Sequence, residues 1–203
     1  MRIIAGRFKG LPIPPALKGT RPTTDRTKEA IFSHLSSWNM LDGASVLDLY
    51  AGTGALGLES LSRGAGSLTA VESSRRAASL VSKTLGLMRS SPSWGEGIQA
   101  RVFPMTVERF LSTAADETFD LIFMDPPYAV DSRDCDSVLA SLVSTGSAGP
   151  GTVIVLERSA RSASPRPPAG WSVTETRTYG ETAVHYLEAE GGKGPEAGEE
   201  GQD

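Results

Sequence analysis

The sequence predicts an α/β fold: a mostly parallel seven-stranded sheet with helices on both faces, an antiparallel C-terminal hairpin and a small N-terminal β arm. Three observations predict it. From Ala44 onward, short apolar runs alternate with helical patterns, as repeated strand–helix units do. Runs such as SVLDLY and FDLIFM read as strands buried on both faces. The last two runs, WSVTETRTY and ETAVHYLE, alternate polar and apolar residues around Gly180, which suits a hairpin at the sheet edge.

The elements follow in order. Residues 1–22 are short apolar pieces broken by Gly and Pro, a basic arm or hairpin. Residues 23–38, TTDRTKEAIFSHLSSW, open on N-cap types and set Ile31, Leu35 and Trp38 at helical spacing. A strand over 45–50 leads through a glycine-rich turn into a helix over 55–65. A strand over 67–72 and a helix over 73–88 follow, then a loop over 90–97. The third strand is 98–103, with a short helix near 106–113. The fourth strand is 119–124, the next helix 134–144 and the fifth strand 151–158. The loop 159–170 precedes the hairpin strands 171–179 and 181–188. The Gly/Glu-rich segment 189–203 is expected to be disordered. The expected division is an arm (1–22), one catalytic or binding domain (23–188) and an acidic tail (189–203).

Composition narrows the function classes. The 203 residues suffice for one domain with a sizeable core. No apolar run reaches membrane-span length, and the N-terminus lacks the apolar core of a signal peptide, so a cytoplasmic protein is expected. The single cysteine, Cys135, excludes an internal disulfide and a cysteine-cluster metal site. Only two histidines exist, so no structural metal is predicted. Net charge is −4, but residues 1–28 carry seven cations against one anion, Asp25. Residues 188–203 carry six acids against Lys193. A basic arm beside a near-neutral body allows a polyanion partner despite the acidic total.

The chemistry gathers at two stretches. In DLYAGTGALG, Gly52, Gly54 and Gly57 form G-x-G-x-x-G after a strand, and Glu72 ends the next strand 20 residues after Gly52. Glycines permit close backbone approach to a ligand, and the acid accepts hydrogen bonds from a ribose diol. Asp48, four residues before Gly52, is a poor neighbour for a pyrophosphate and suits a cationic ligand such as S-adenosylmethionine (SAM). It can equally cap nearby backbone N–H groups, and a dinucleotide remains open at this point. The second stretch is Asp125-Pro126-Pro127-Tyr128, where two prolines end a strand. An exocyclic base amine is a poor nucleophile. Asp125 and the Pro126 carbonyl could accept its two N–H bonds and aim its lone pair at a methyl sulfonium. The prolines preorganise those acceptors, and Tyr128 offers a face for base stacking.

Together these motifs resemble SAM-dependent methyltransferases of exocyclic amines. More closely, the order RIIAGRFKG, RPTTDRTKEAIF, VLDLYAGTGALGLESLSRGA, a VE strand end and DPPY resembles the 16S ribosomal RNA guanine(966)-N2-methyltransferase family over about residues 2–188. The resemblance implies a Rossmann-like class I fold, SAM as methyl donor and a guanine of small-subunit RNA, free or in an assembly intermediate, as acceptor. It implies Asp125, Pro126 and Tyr128 at the target base. It implies Asp48, Tyr50, Gly52, Gly54 and Glu72 at the cofactor. Such enzymes often carry Asp or Asn after the third strand for the adenine; here Thr106 is nearest that place.

Arg7, Lys9, Arg21 and Arg26 are the candidate RNA contacts, against a plain solvated surface. Arg158, Arg161 and Arg166 read as a surface loop. Cys135, His34 and His185 read as structural, and a monomer is expected. The rival functions are an adenine-N6 DNA methyltransferase, an NAD-dependent oxidoreductase and a non-catalytic RNA-binding assembly factor.

Overall fold

The computed structural model describes residues 1–15, 25–113, 117–127 and 129–191. Arg21, Tyr128 and most of the tail lie outside the described residues. Seven strands form one sheet: β1 (Ser45–Leu49), β2 (Ser67–Val71), β3 (Gln99–Phe103), β4 (Leu121–Met124), β5 (Val153–Ser159), β6 (Trp171–Tyr179) and β7 (Thr182–Ala189). Their order is β3-β2-β1-β4-β5-β7-β6. The first five pair in parallel, and β7 pairs antiparallel with β5 and β6. The helices are α1 (Asp25–Ser37), α2 (Ala55–Ser62), α3 (Arg75–Arg89), α4 (Val107–Thr113) and α5 (Ser132–Ser144).

The predicted fold class is the observed one. Strand residues divide alternately between two cores, as a period of two requires. Val46, Leu68, Ala70, Phe123 and Val155 join Phe32, Leu58 and Val81 on one face. Leu47, Leu49, Val71, Ile122 and Met124 join Phe110, Leu139 and Leu142 on the other. Burying each such side chain contributes about 1.5–3 kcal/mol, which is why both positions of the inner strands are apolar. After β3 the chain returns to place β4 on the far side of β1. That reversal opens a crevice at the carboxyl ends of β1 and β4.

Element ends differ from the sequence expectation where local hydrogen bonds intervene. The fourth strand starts at Leu121, because the Phe119 and Asp120 amides donate to Ser147 and Ser45. Helix α5 starts two residues earlier than expected because the Asp131 side chain caps it through the Asp134 amide, 2.9 Å. Helix α2 stops at Ser62, ahead of Gly64 with φ 125°.

The arm is anchored from within. Residues 1–13 fold back through Ile3–Leu11 and Ile13–Met1 backbone bonds of 3.0 Å each, and Ile3, Phe8 and Ile13 enter the α1–α2 core. The Glu59 carboxylate accepts the Ile4 and Ala5 amides at 2.8 and 3.0 Å. It also pairs with Lys28 at 3.3 Å, both side chains being 0% exposed. Lys28 in turn donates to the Arg2 carbonyl at 3.0 Å. Lys28 therefore adds nothing to the exposed positive charge of the arm, a correction to the sequence count.

Candidate active site

The sheet register brings the sequence motifs to one edge. Val71, Leu49 and Met124 stand side by side at the carboxyl ends of β2, β1 and β4. The next residues in the chain are Glu72, Tyr50 and Asp125. Three carboxylates, Asp48, Glu72 and Asp125, thus serve one crevice.

Asp48 is 2% exposed and accepts the Gly57 amide at 2.9 Å. Gly57 is the third glycine of the motif. A Cβ there would lie 2.6 Å from Leu68 Cδ1 and 2.9 Å from Asp48 Oδ2, so only glycine lets α2 sit this close. Burial, with the Asp125 and Glu72 charges nearby, pushes the Asp48 carboxyl up to about 7 against the opposing Gly57 hydrogen bond. Of the two sequence interpretations of Asp48, the capping of a backbone amide is seen directly; as a buried acid, it would also gain from a cation. With Asp48 at the first turn of α2, a pyrophosphate there would meet a second negative charge.

Glu72 links the glycine turn to β2. Its Oε2 accepts the Gly52 amide at 2.8 Å and its Oε1 the Ser74 amide at 2.7 Å. Each oxygen keeps a further lone pair for a diol. Gly52 and Gly54 have φ of 56° and 79°, the left-handed region in which glycine carries no Cβ penalty. Gly54 caps α2 without a side-chain hydrogen bond, and a Cβ there would press on Leu58 Cδ1 and Val81 Cγ1 at 3.0 Å each.

Tyr50 also has positive φ, 59°. That conformation breaks strand alternation, and its half-buried ring packs with the α4–α5 core. Burial and the neighbouring Glu108 raise its hydroxyl pKa. Its backbone thus shapes the turn while its ring leaves for the other face. Thr106 is exposed and caps α4, its Oγ1 accepting the Arg109 amide at 3.3 Å.

At the second motif Asp125 is half-buried, Pro126 buried and Pro127 exposed. The Pro127 carbonyl accepts the Val130 amide at 2.9 Å, closing a turn. Arg158 Nη2 donates to the Val130 carbonyl at 3.0 Å and ties that loop to β5. Sequence reasoning missed this loop-holding contact.

Arg7, Lys9 and Arg26 are exposed. The Arg7 amide donates to the carbonyl of Ser62, the last residue of α2, at 2.8 Å. The glycine turn lies at the other end of that eight-residue helix, about 12 Å away. Arg7 therefore stands about one helix length from the glycine turn. Sequence reasoning also missed Glu59, whose role depends on the arm amides and the Lys28 side chain that it meets across the fold.

Among the described residues no group of His, Cys, Asp and Glu is arranged to hold a metal ion, and no helix is long and apolar enough to cross a membrane.

The family described as "Conserved hypothetical protein 95" matches residues 1–188. Ribosomal RNA small subunit methyltransferase D of Escherichia coli K12 is 31% identical over 191 residues, covering 94% of this chain and 90% of that protein. Among solved structures, yhhF from Escherichia coli aligns with a TM-score of 0.78 at 30% identity, covering 94% and 98% of the two chains. A hypothetical protein of Thermus thermophilus aligns with a TM-score of 0.76 at 29% identity, covering 93% and 99%.

Proposed function

The chain belongs to the Conserved hypothetical protein 95 family, that of ribosomal RNA small subunit methyltransferase D, and from this premise we propose that it methylates an exocyclic N2 amine of a guanine in 16S ribosomal RNA. The substrate is the RNA of the small subunit or of its assembly intermediate, and guanine 966, the target implied by the motif resemblance, is the first candidate. The observation that carries the proposal is the buried Asp48 near the end of β1, bonded to Gly57 in the first turn of α2 and close to the acids Glu72 and Asp125. That cluster suits a sulfonium and an ammonium, and it disfavours the phosphates of a nicotinamide dinucleotide.

SAM supplies an electrophilic methyl group on a cationic sulfur. Asp48, Gly52, Gly54 and Glu72 hold it: Glu72 through the ribose hydroxyls, Asp48 through opposite charge, and the glycines by close backbone approach. Tyr50 contributes the shape of the turn and Thr106 a hydroxyl near the adenine end. Asp125 and the Pro126 carbonyl accept the two N–H bonds of the base amine and point its lone pair at the methyl carbon. Asp125 would also stabilise the positive charge that develops on nitrogen as the N–CH3 bond forms and the S–CH3 bond breaks, with neutral S-adenosylhomocysteine leaving, and would take up the proton then lost. Tyr128 stacks on the base, which must leave its helix to enter. Arg7, Lys9, Arg21 and Arg26 contact the RNA backbone away from the chemistry. The chain divides as an arm (1–22), the methyltransferase domain (23–188) and an acidic tail (189–203), and it acts as a monomer in the cytoplasm.

The test separates binding from chemistry. Asp125→Ala is expected to bind SAM as the wild type does and to lose methyl transfer to small-subunit RNA. Turnover within a few-fold of wild type removes Asp125 from the role given to it.

A further inference from the structure

Helix α3 carries a charge pattern that its own stability does not explain. Its sequence, RRAASLVSKTLGLMR, holds Arg75, Arg76, Lys83 and Arg89 and no acidic residue. Arg75 and Arg76 follow the N-cap Ser74 directly. Cations there oppose the helix dipole, which favours acids in the first turn. All four cations are exposed, and Arg75, Arg76 and Lys83 make no ion pair or side-chain hydrogen bond among the described residues. The opposite side of the helix, through Ala77, Ala78, Val81, Thr84, Leu85 and Met88, is buried. The cations therefore share the outward face.

The two ends of this face meet features already described. Arg75 lies three residues after Glu72, beside the cofactor turn. At the other end, the Arg89 guanidinium carbon lies 5.8 Å over the Trp94 ring, and Trp94 packs against Phe8 of the arm at 6.1 Å. Arg7 reaches the same loop: a Cβ on Gly95 would lie 3.4 Å from its Nη1. At 15 residues, α3 is about 22 Å long. It thus runs from the edge that carries the glycine turn towards the arm, with cations at both ends and near its middle.

We propose that the outward face of α3, through Arg75, Arg76 and Lys83 and on to Arg7 at the arm, is a track for the phosphate backbone of the RNA flanking the target guanine. The proposal rests on the RNA-methylating function above. An RNA occupant is favoured over a protein because the face offers unpaired cations at intervals along a rod. Three neutralised phosphates on such a face each release condensed counterions.

The test is the triple variant Arg75→Gln, Arg76→Gln, Lys83→Gln, with RNA binding followed by titration against salt. Wild type is assayed in parallel for methyl transfer to small-subunit RNA. The variant is expected to bind RNA at least about tenfold more weakly at 0.1 M salt, with a log–log salt slope shallower by about two to three. SAM affinity and thermal stability are expected to stay at or above wild type, because removing cations from the first turn relieves the dipole. Unchanged RNA affinity and slope would overturn the track. Unchanged binding to free RNA with lost activity on assembled particles would also overturn it, in favour of a protein partner. Absence of methyl transfer and RNA binding by the wild type would instead fail the proposed function itself, and the track with it.

Discussion

Asp48 at the end of β1 and Gly57 in the first turn of α2 are joined by a 2.9 Å hydrogen bond inside the core. The bond fixes a carboxylate where the glycine turn opens. Burial, and then the nearby Asp125 and Glu72 charges, make that carboxylate expensive to ionise in the absence of a cation, although the Gly57 bond itself favours the ionised form. Asp48→Asn should keep an acceptor for Gly57 while removing the charge. SAM affinity is then expected to fall by tenfold or more. Thermal stability of the ligand-free protein at pH 8 should be unchanged or higher. Calorimetry and thermal melts check both; a large loss of stability would mean that the charge itself supports the fold.

The pH dependence follows from the same residue. The Asp48 carboxyl ionises near 7 in the folded protein and far lower when unfolded. Between those values the folded state binds the extra proton, so this group's contribution to stability falls as pH rises through the window. Binding of a sulfonium needs the ionised form, so SAM affinity should rise with pH up to about 7 and then level. The rise is up to about tenfold per pH unit. Titration calorimetry from pH 6 to 8 should show this profile in wild type and a flat one in Asp48→Asn.

Lys28 and Glu59 form a buried pair that also holds the arm. Lys28→Ala leaves the Glu59 charge buried with one partner fewer, and is expected to destabilise the protein by about 3–5 kcal/mol in denaturant unfolding. A cost below about 1 kcal/mol would mean that Arg63, at 2.8 Å from Glu59, compensates alone.

Gly6 offers a way to release the arm alone. It has φ 81°, and a Cβ there would lie 1.9 Å from the Ser62 carbonyl oxygen. Gly6→Val must shift the arm off α2. RNA affinity is expected to fall while SAM affinity stays near wild type. Equal loss of both in parallel titrations would show that the arm supports the cofactor turn rather than the RNA.

Much of this was legible in the sequence because the signals were local. Strand–helix alternation, Gly52, Gly54 and Gly57 after an apolar run, and the two prolines after FDLIFM each fix backbone form within a few residues. Sheet order then follows from the handedness and burial rules, and it brings Asp48, Glu72 and Asp125 together. Long-range partners were not legible. Nothing in KEAIF marks Lys28 as a buried ion rather than part of a basic arm, since its partner Glu59 lies 31 residues away. The departure of the Tyr50 ring to the opposite face depends on one left-handed dihedral. The loop contact of Arg158 depends on β5 lying next to β4.

The most direct test of the central claim is methyl transfer from labelled SAM to small ribosomal subunits lacking the modification, followed by nucleoside analysis. Label in N2-methylguanosine, lost with Asp125→Ala, is the expected result. Label in N6-methyladenine, or no label from a protein that binds SAM, would contradict it.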